Sequence, residues 1–274
     1  PMGKPHQLTR GREPVRAAVF EPKRGEYILL SRDVSGDEAT QIYRLDPKTL
    51  HEVPITPSGE LNTLGPWNSA HDKVILLSRT LDRNGKREQA GTDVVAIDPL
   101  QPEARFKLTA LPGAGWRVLR WLDRENRLVL SEYVSSTVSK LWLLDLATGK
   151  RTELGTGSTP VAENGDRWLY RKRLDGDFTK LSRVDLKSGD RQWVTKDIEN
   201  DVDDWSVTKG GKRVAVLVNA NGYNQLKLYD GELRSQPTPS LPTGLISSAV
   251  WHRNGRDLAL GIESADSPTS GRPE

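Results

Sequence analysis

Gly115-Trp-Arg-Val-Leu-Arg-Trp-Leu-Asp123, then Arg127-Leu-Val-Leu-Ser-Glu-Tyr133, then Lys140-Leu-Trp-Leu-Leu-Asp-Leu146, the turn Ala147-Thr-Gly-Lys150, and Arg151-Thr-Glu-Leu154. No apolar run in this stretch is long enough for a stable helix. β-Branched and aromatic residues fill the runs, and turn residues separate them, which is the composition of a pleated surface. The stretch reads as four short antiparallel strands, and the rest of the chain repeats it.

Five aspartates close the third run of successive units: Asp46, Asp98, Asp145, Asp185 and Asp230, at separations of 52, 47, 40 and 45 residues. That spacing is the period of four-stranded propeller blades. An aspartate followed by a Pro-Lys (Asp46), Thr-Gly (Asp145) or Ser-Gly (Asp185) turn can accept hydrogen bonds from turn backbone through its carboxylate, and glycine takes positive φ. The third runs are apolar on both faces, Leu141 and Leu143 against Trp142 and Leu144, so neighbours must cover both. Blades stacked side by side do this and hide the long strand edges. The fold class expected is all-β, a β-propeller of four-stranded antiparallel blades.

One propeller domain over 1–274 follows, with blades at about 15–56, 61–109, 115–154, 159–195 and 202–238. A partial sixth unit occupies 245–264, and residues 1–9 are expected as its outer strand. Five whole blades with partial ones at both ends read as a fragment. Pro54, inside the last run of the first unit, fits an edge strand, where a missing donor faces solvent.

Composition narrows the partners. The chain has 274 residues, 35% apolar and 28% charged, and no run approaching the roughly 18 apolar residues of a membrane span. Forty Lys and Arg against 37 Asp and Glu leave a formal charge of +3, with the signs interspersed. No nucleic-acid footprint and no membrane partner are expected. The absence of cysteine removes disulfides and thiolate chemistry, and leaves cytoplasm and periplasm equally open.

Several stretches resemble, in order, the N-terminal propeller of bacterial peptidases of the prolyl oligopeptidase family (family S9). They are Gln7-Leu-Thr with Glu13-Pro-Val, Ser31-Arg-Asp with Gly36-Asp-Glu and Gln41 to Asp46, and Arg83-Asn-Gly-Lys with Thr92 to Pro99. Ser131-Glu-Tyr-Val, Leu141-Trp-Leu-Leu-Asp, Asn221-Gly-Tyr-Asn-Gln-Leu and Gly244 to Leu258 continue the series, and Ser264-Ala-Asp-Ser-Pro268 resembles the approach to a last blade. The resemblance implies a non-catalytic propeller that gates peptide access to an α/β-hydrolase domain of the same parent chain and docks on it. The partners implied are that domain and a peptide substrate. The family's serine–histidine–aspartate triad belongs to the hydrolase domain, so no catalytic residue carries over. The nucleophile elbow Gly-x-Ser-x-Gly is absent, and Gly155-Thr-Gly-Ser158 has the wrong spacing and reads as an inter-blade turn. The alternative is a TolB-like stand-alone propeller serving as a protein-interaction module.

Few residues invite a site. Asp201, Asp203 and Asp204, preceded by Glu199, form the densest acidic cluster. Alternation would place Asp201 and Asp203 on one side, suiting calcium or the amino terminus of a peptide, against a solvated loop leading into an inner strand. Asp82-Arg-Asn84-Gly85 lacks the acidic positions of a calcium loop and reads as a hairpin turn. His6, His51, His71 and His252 have no ligand spacing, so neither metal nor cofactor is expected. The eight tryptophans read as blade-to-blade packing rather than a carbohydrate platform.

Overall fold

The structure is a computed structural model, describing residues 6–10, 13–33, 39–80, 91–136, 138–157, 161–163, 167–242 and 244–263. The Asp82–Gly85 turn, the tip of the Asp33–Thr40 loop and the Ser264–Pro268 ending lie outside the described residues.

Among the described residues, five sheets have four antiparallel strands in chain order, and a sixth has two. The first contains β1 (Ala17–Phe20), β2 (Ile28–Arg32), β3 (Gln41–Leu45) and β4 (Glu52–Pro54). The second contains β5 (Glu60–Trp67), β6 (Val74–Thr80), β7 (Thr92–Asp98) and β8 (Gln101–Leu111). The third contains β9 (Trp116–Leu122), β10 (Arg127–Tyr133), β11 (Ser139–Asp145) and β12 (Arg151–Gly157). The fourth contains β13 (Val161–Glu163), β14 (Trp168–Asp175), β15 (Phe178–Asp185) and β16 (Arg191–Trp193). The fifth contains β17 (Val202–Val207), β18 (Arg213–Ala220), β19 (Tyr223–Asp230) and β20 (Ser235–Gln236), and the sixth β21 (Leu245–Trp251) and β22 (Leu258–Glu263). Pro54 pairs with Tyr43 on edge strand β4, where its missing donor disturbs no ladder. Residues 6–10 carry no strand, and Leu8 packs beside Ile28, Leu30 and Leu45.

The chain divides into two compact units, 1–133 with 141–153, and 134–140 with 154–274. Within the first unit, alternate residues of β6 bury in opposite directions. Val74 and Leu76 meet Tyr27, Leu29 and Ile42 of the first sheet. Ile75 and Leu77 meet Trp116, Val118, Leu128 and Leu130 of the third. The second unit repeats the arrangement on β18: Val214, Val216 and Val218 pack with Tyr170, Leu181 and Trp205, while Ala215 and Leu217 pack with Ile246 and Ala249. A strand covered on both faces needs apolar side chains at successive positions, which is why these strands read as unbroken apolar runs. Each such Leu or Val contributes about 1.5–3 kcal/mol.

The recurring aspartates bind their turns. Asp46 accepts hydrogen bonds from the backbone N–H groups of Lys48 and Thr49 at 2.7 and 3.2 Å, and Asp98 from Leu100 at 2.8 Å. Asp145 accepts from Thr148 N and Oγ1 at 2.8 and 2.9 Å, Asp185 from Lys187 and Ser188 at 2.8 and 3.2 Å, and Asp230 from Glu232 and Arg234 at 3.0 and 2.9 Å. These bonds hold the carboxyls of Asp46 and Asp145 below the usual aspartate range. The β18–β19 hairpin turns through Asn221 and Gly222 at φ of 56° and 87°, the positive-φ pair a two-residue turn requires.

One device has no counterpart in the sequence reading. The first strands β5, β9, β17 and β21 each carry a register shift against the second strand of their sheet. On β17, Val202 faces Val218 and Asp204 faces Leu217, so Asp203 is the extra residue. The bulge resets alternation, putting Val202, Trp205 and Val207 in the core and both Asp203 and Asp204 outside.

Candidate functional site

The acidic cluster sits where the chain runs into β17. Asp201 accepts a 2.7 Å hydrogen bond from Thr179 N at the start of β15, and its carbonyl accepts one from Asn219 N at 2.8 Å. Asp203 accepts from Asn224 Nδ2 at 2.6 Å, while its carbonyl accepts from Lys172 Nζ at 3.0 Å. Lys172 also lies 6.0 Å from the centre of the Trp205 ring. The Asp201 carboxylate and the Asp203 carbonyl thus join the fourth and fifth sheets, while the Asp203 carboxylate is engaged within the fifth. Asp204 is exposed at the bulge, and it is the member best placed to meet a cationic group from solution. Among the described residues, no three His, Asp or Glu side chains converge to hold a metal ion.

Tryptophans serve the packing. Trp116 and Trp205 are core residues, and Trp67, Trp121, Trp142, Trp168 and Trp251 pack at core margins. Most of their remaining faces carry cations. Arg151 lies 5.6 and 5.8 Å from the Trp116 and Trp142 ring centres, Arg183 lies 3.9 Å from Trp168, and Arg173 lies 5.3 Å from Trp193. Rings occupied in this way do not offer a sugar platform.

The stretch Gly155-Thr-Gly157, expected as a turn, is the end of strand β12. Its glycines leave room for guanidinium groups: a Cβ at Gly155 would stand 2.8 Å from Arg191 Cζ, and one at Gly157 2.5 Å from Arg171 Nε. The sequence reading missed this basic group. The polar run Arg171-Lys-Arg173 looks like solvated surface, and only the Gly-x-Gly spacing on another strand hints that side chains approach it.

No protein-family model matches the sequence, and no curated protein matches it. Solved structures do match the fold. A prolyl endopeptidase, from a study of inter-domain dynamics in catalysis and specificity, superposes with a TM-score of 0.70 at 10% identity, over 93% of this chain and 39% of that one. The β-propeller domain of the Trilobed protease from Pyrococcus furiosus, described as having an open velcro topology, gives 0.55 at 16% identity, over 87% and 72%. TolB from Acinetobacter baumannii gives 0.51 at 14%, over 83% and 54%. The chain thus spans about half of that TolB and under half of the prolyl endopeptidase. At these identities the likeness shows the fold alone: this is a β-propeller, similar to those of the three proteins named.

Proposed function

We propose that the chain is the non-catalytic propeller domain of a prolyl oligopeptidase-like serine peptidase. In this reading it gates peptide access to a separate α/β-hydrolase domain of the parent chain and docks on that domain. The observation that carries the reading is the superposition of 93% of this chain on 39% of a prolyl endopeptidase, at the highest TM-score of the three structures described. The sequence supplies no nucleophile elbow, so catalysis is assigned elsewhere. Within this reading, exposed Asp204 attracts the amino terminus of an incoming peptide, and Asp201 and Asp203 fix the geometry around it.

The gating experiment compares the full product of the reading frame with a version lacking residues 1–274, on a short chromogenic peptide and on a denatured protein. Gating predicts that the full product cleaves only the short peptide and that removal of the propeller abolishes the discrimination. Unchanged discrimination refutes the gate. The second reading, a TolB-like interaction module, draws on the match to 83% of this chain by TolB. A full product without hydrolase activity supports it over the first.

A further inference from the structure

We propose that the end of β12 and the facing surface of the fourth sheet form a binding site for a small anion of chloride size. Arg171 carries the inference. It is 3% exposed, and its guanidinium meets only neutral acceptors: Nη1 donates to Gly155 O at 3.2 Å, and Nη2 to Ser139 O and Oγ at 3.0 and 3.1 Å. Its Nε is buried without a hydrogen-bond partner. A buried charge left without an opposite charge is costly, and proteins answer it with a carboxylate, a metal or a bound ion. Among the described residues no carboxylate answers it. The cavity beside Arg171 is lined by Arg173, Ser182, Arg183 and Arg191 together with 154–156, and no Asp or Glu lines it among the described residues.

The arginines play different parts. Arg183 is already occupied, donating to Gln192 Oε1 and to Gly231 O at 2.8 Å and stacking on Trp168. Arg173 is half-buried against Trp193, and Arg191 is exposed at the mouth with its guanidinium against the backbone of Gly155. Three positive groups thus face one small space, and glycine at 155 and 157 is what lets two of them in. Burial first, then the charges of Arg173 and Arg191, push the Arg171 pKa down to about 10. Arg171 remains cationic at neutral pH. The free space is about 10 Å³, room for one water-sized guest. A space at the lower bound for one small guest points to a monatomic anion, chloride, in preference to phosphate or sulfate.

The test is the melting temperature of the 274-residue chain across a series from sodium gluconate to sodium chloride at constant ionic strength. The expected result is a saturable rise with chloride, about 3–5 °C per tenfold concentration once the dissociation constant is passed. Arg171→Met, which removes the buried charge at similar volume, abolishes the chloride-dependent part. Arg191→Gln, at the mouth and outside the core, raises the half-saturating concentration at least about fivefold, since a partly desolvated charge beside an anion is worth about 1 kcal/mol or more. Equal melting in the two salts at every concentration overturns the proposal, as does an undiminished chloride response in both variants. Bromide soaked into crystals gives a second readout: an anomalous peak beside Arg171 supports the site, and its absence at saturating bromide overturns it.

Discussion

Asp185 is the turn aspartate whose removal should cost most. Its carboxylate accepts from Lys187 N at 2.8 Å, from Ser188 N at 3.2 Å, and from Arg167 Nε at 2.5 Å, while the residue is 1% exposed. The Arg167 side chain is 70% exposed, so solvent screens that pair to well under 1 kcal/mol. The two turn bonds are charge-assisted and shielded, and together contribute about 2 kcal/mol. Asp185→Ala should therefore cost about 2–3 kcal/mol, which lowers the melting temperature by roughly 5–10 °C in a domain of this size. Burial by itself raises the Asp185 pKa, but the bonds from Arg167, Lys187 and Ser188 outweigh it, and the folded value lies below the usual one. A depressed folded pKa stabilises fully above the unfolded value of about 3.9, and that stability is lost as pH falls through the folded value. The gap between wild type and Asp185→Ala, measured by calorimetry, should be full at pH 7 and close below about pH 4. Asp145 makes equivalent turn bonds in a more exposed position, so Asp145→Ala should lose less. Equal losses at the two sites, or a gap unchanged in acid, would refute the reasoning.

Glu60 takes both terminal nitrogens of Arg105 at 2.8 and 2.9 Å and the Ser78 hydroxyl at 2.8 Å. Glu60→Gln should cost about 2 kcal/mol in urea unfolding. The Arg105 hydrogen bonds chiefly hold the Glu60 pKa down, so this cost too should shrink as pH drops below about 4.3. Leu130→Ala, at a fully buried position, should cost about 2–5 kcal/mol, whereas Leu174→Ala, at 72% exposure, should stay within about 0.5 kcal/mol by the same assay. Deleting Asp203 removes the bulge and turns Val202 toward solvent, so the deletion should abolish cooperative melting. Asp203→Ala, which keeps the bulge, should melt within a few degrees of wild type, about 1 kcal/mol or less for a lost exposed hydrogen bond.

What was legible in the sequence was what repeats. The apolar runs of β6, β7, β10 and β18, and the aspartate closing each third strand, are local signals. They lead to four-stranded blades because a strand apolar on both faces needs two neighbours. The bulges were not legible, because a register shift belongs to the pairing of two strands. Simple alternation therefore put Asp201 and Asp203 on one side and missed that Asp203 and Asp204 both face out. The β14–β15 hairpin extends to Asp175 and resumes at Phe178, through a polar stretch whose Arg171, Lys172 and Arg173 lack any strand periodicity of hydrophobicity. Arg171 illustrates the limit most clearly. Its burial depends on Gly155, Gly157 and Ser139, which lie on β12 and β11, and no window around residue 171 contains them.

The central functional claim is that this propeller works beside a catalytic serine that it does not itself contain. Its most direct test is mass-spectrometric mapping of the serine labelled by a fluorophosphonate in the full product of the reading frame. The account predicts a single label, on a Gly-x-Ser-x-Gly serine outside residues 1–274, and no labelling of the 274-residue chain alone. A labelled serine within these residues, or a full product with no reactive serine, would contradict it.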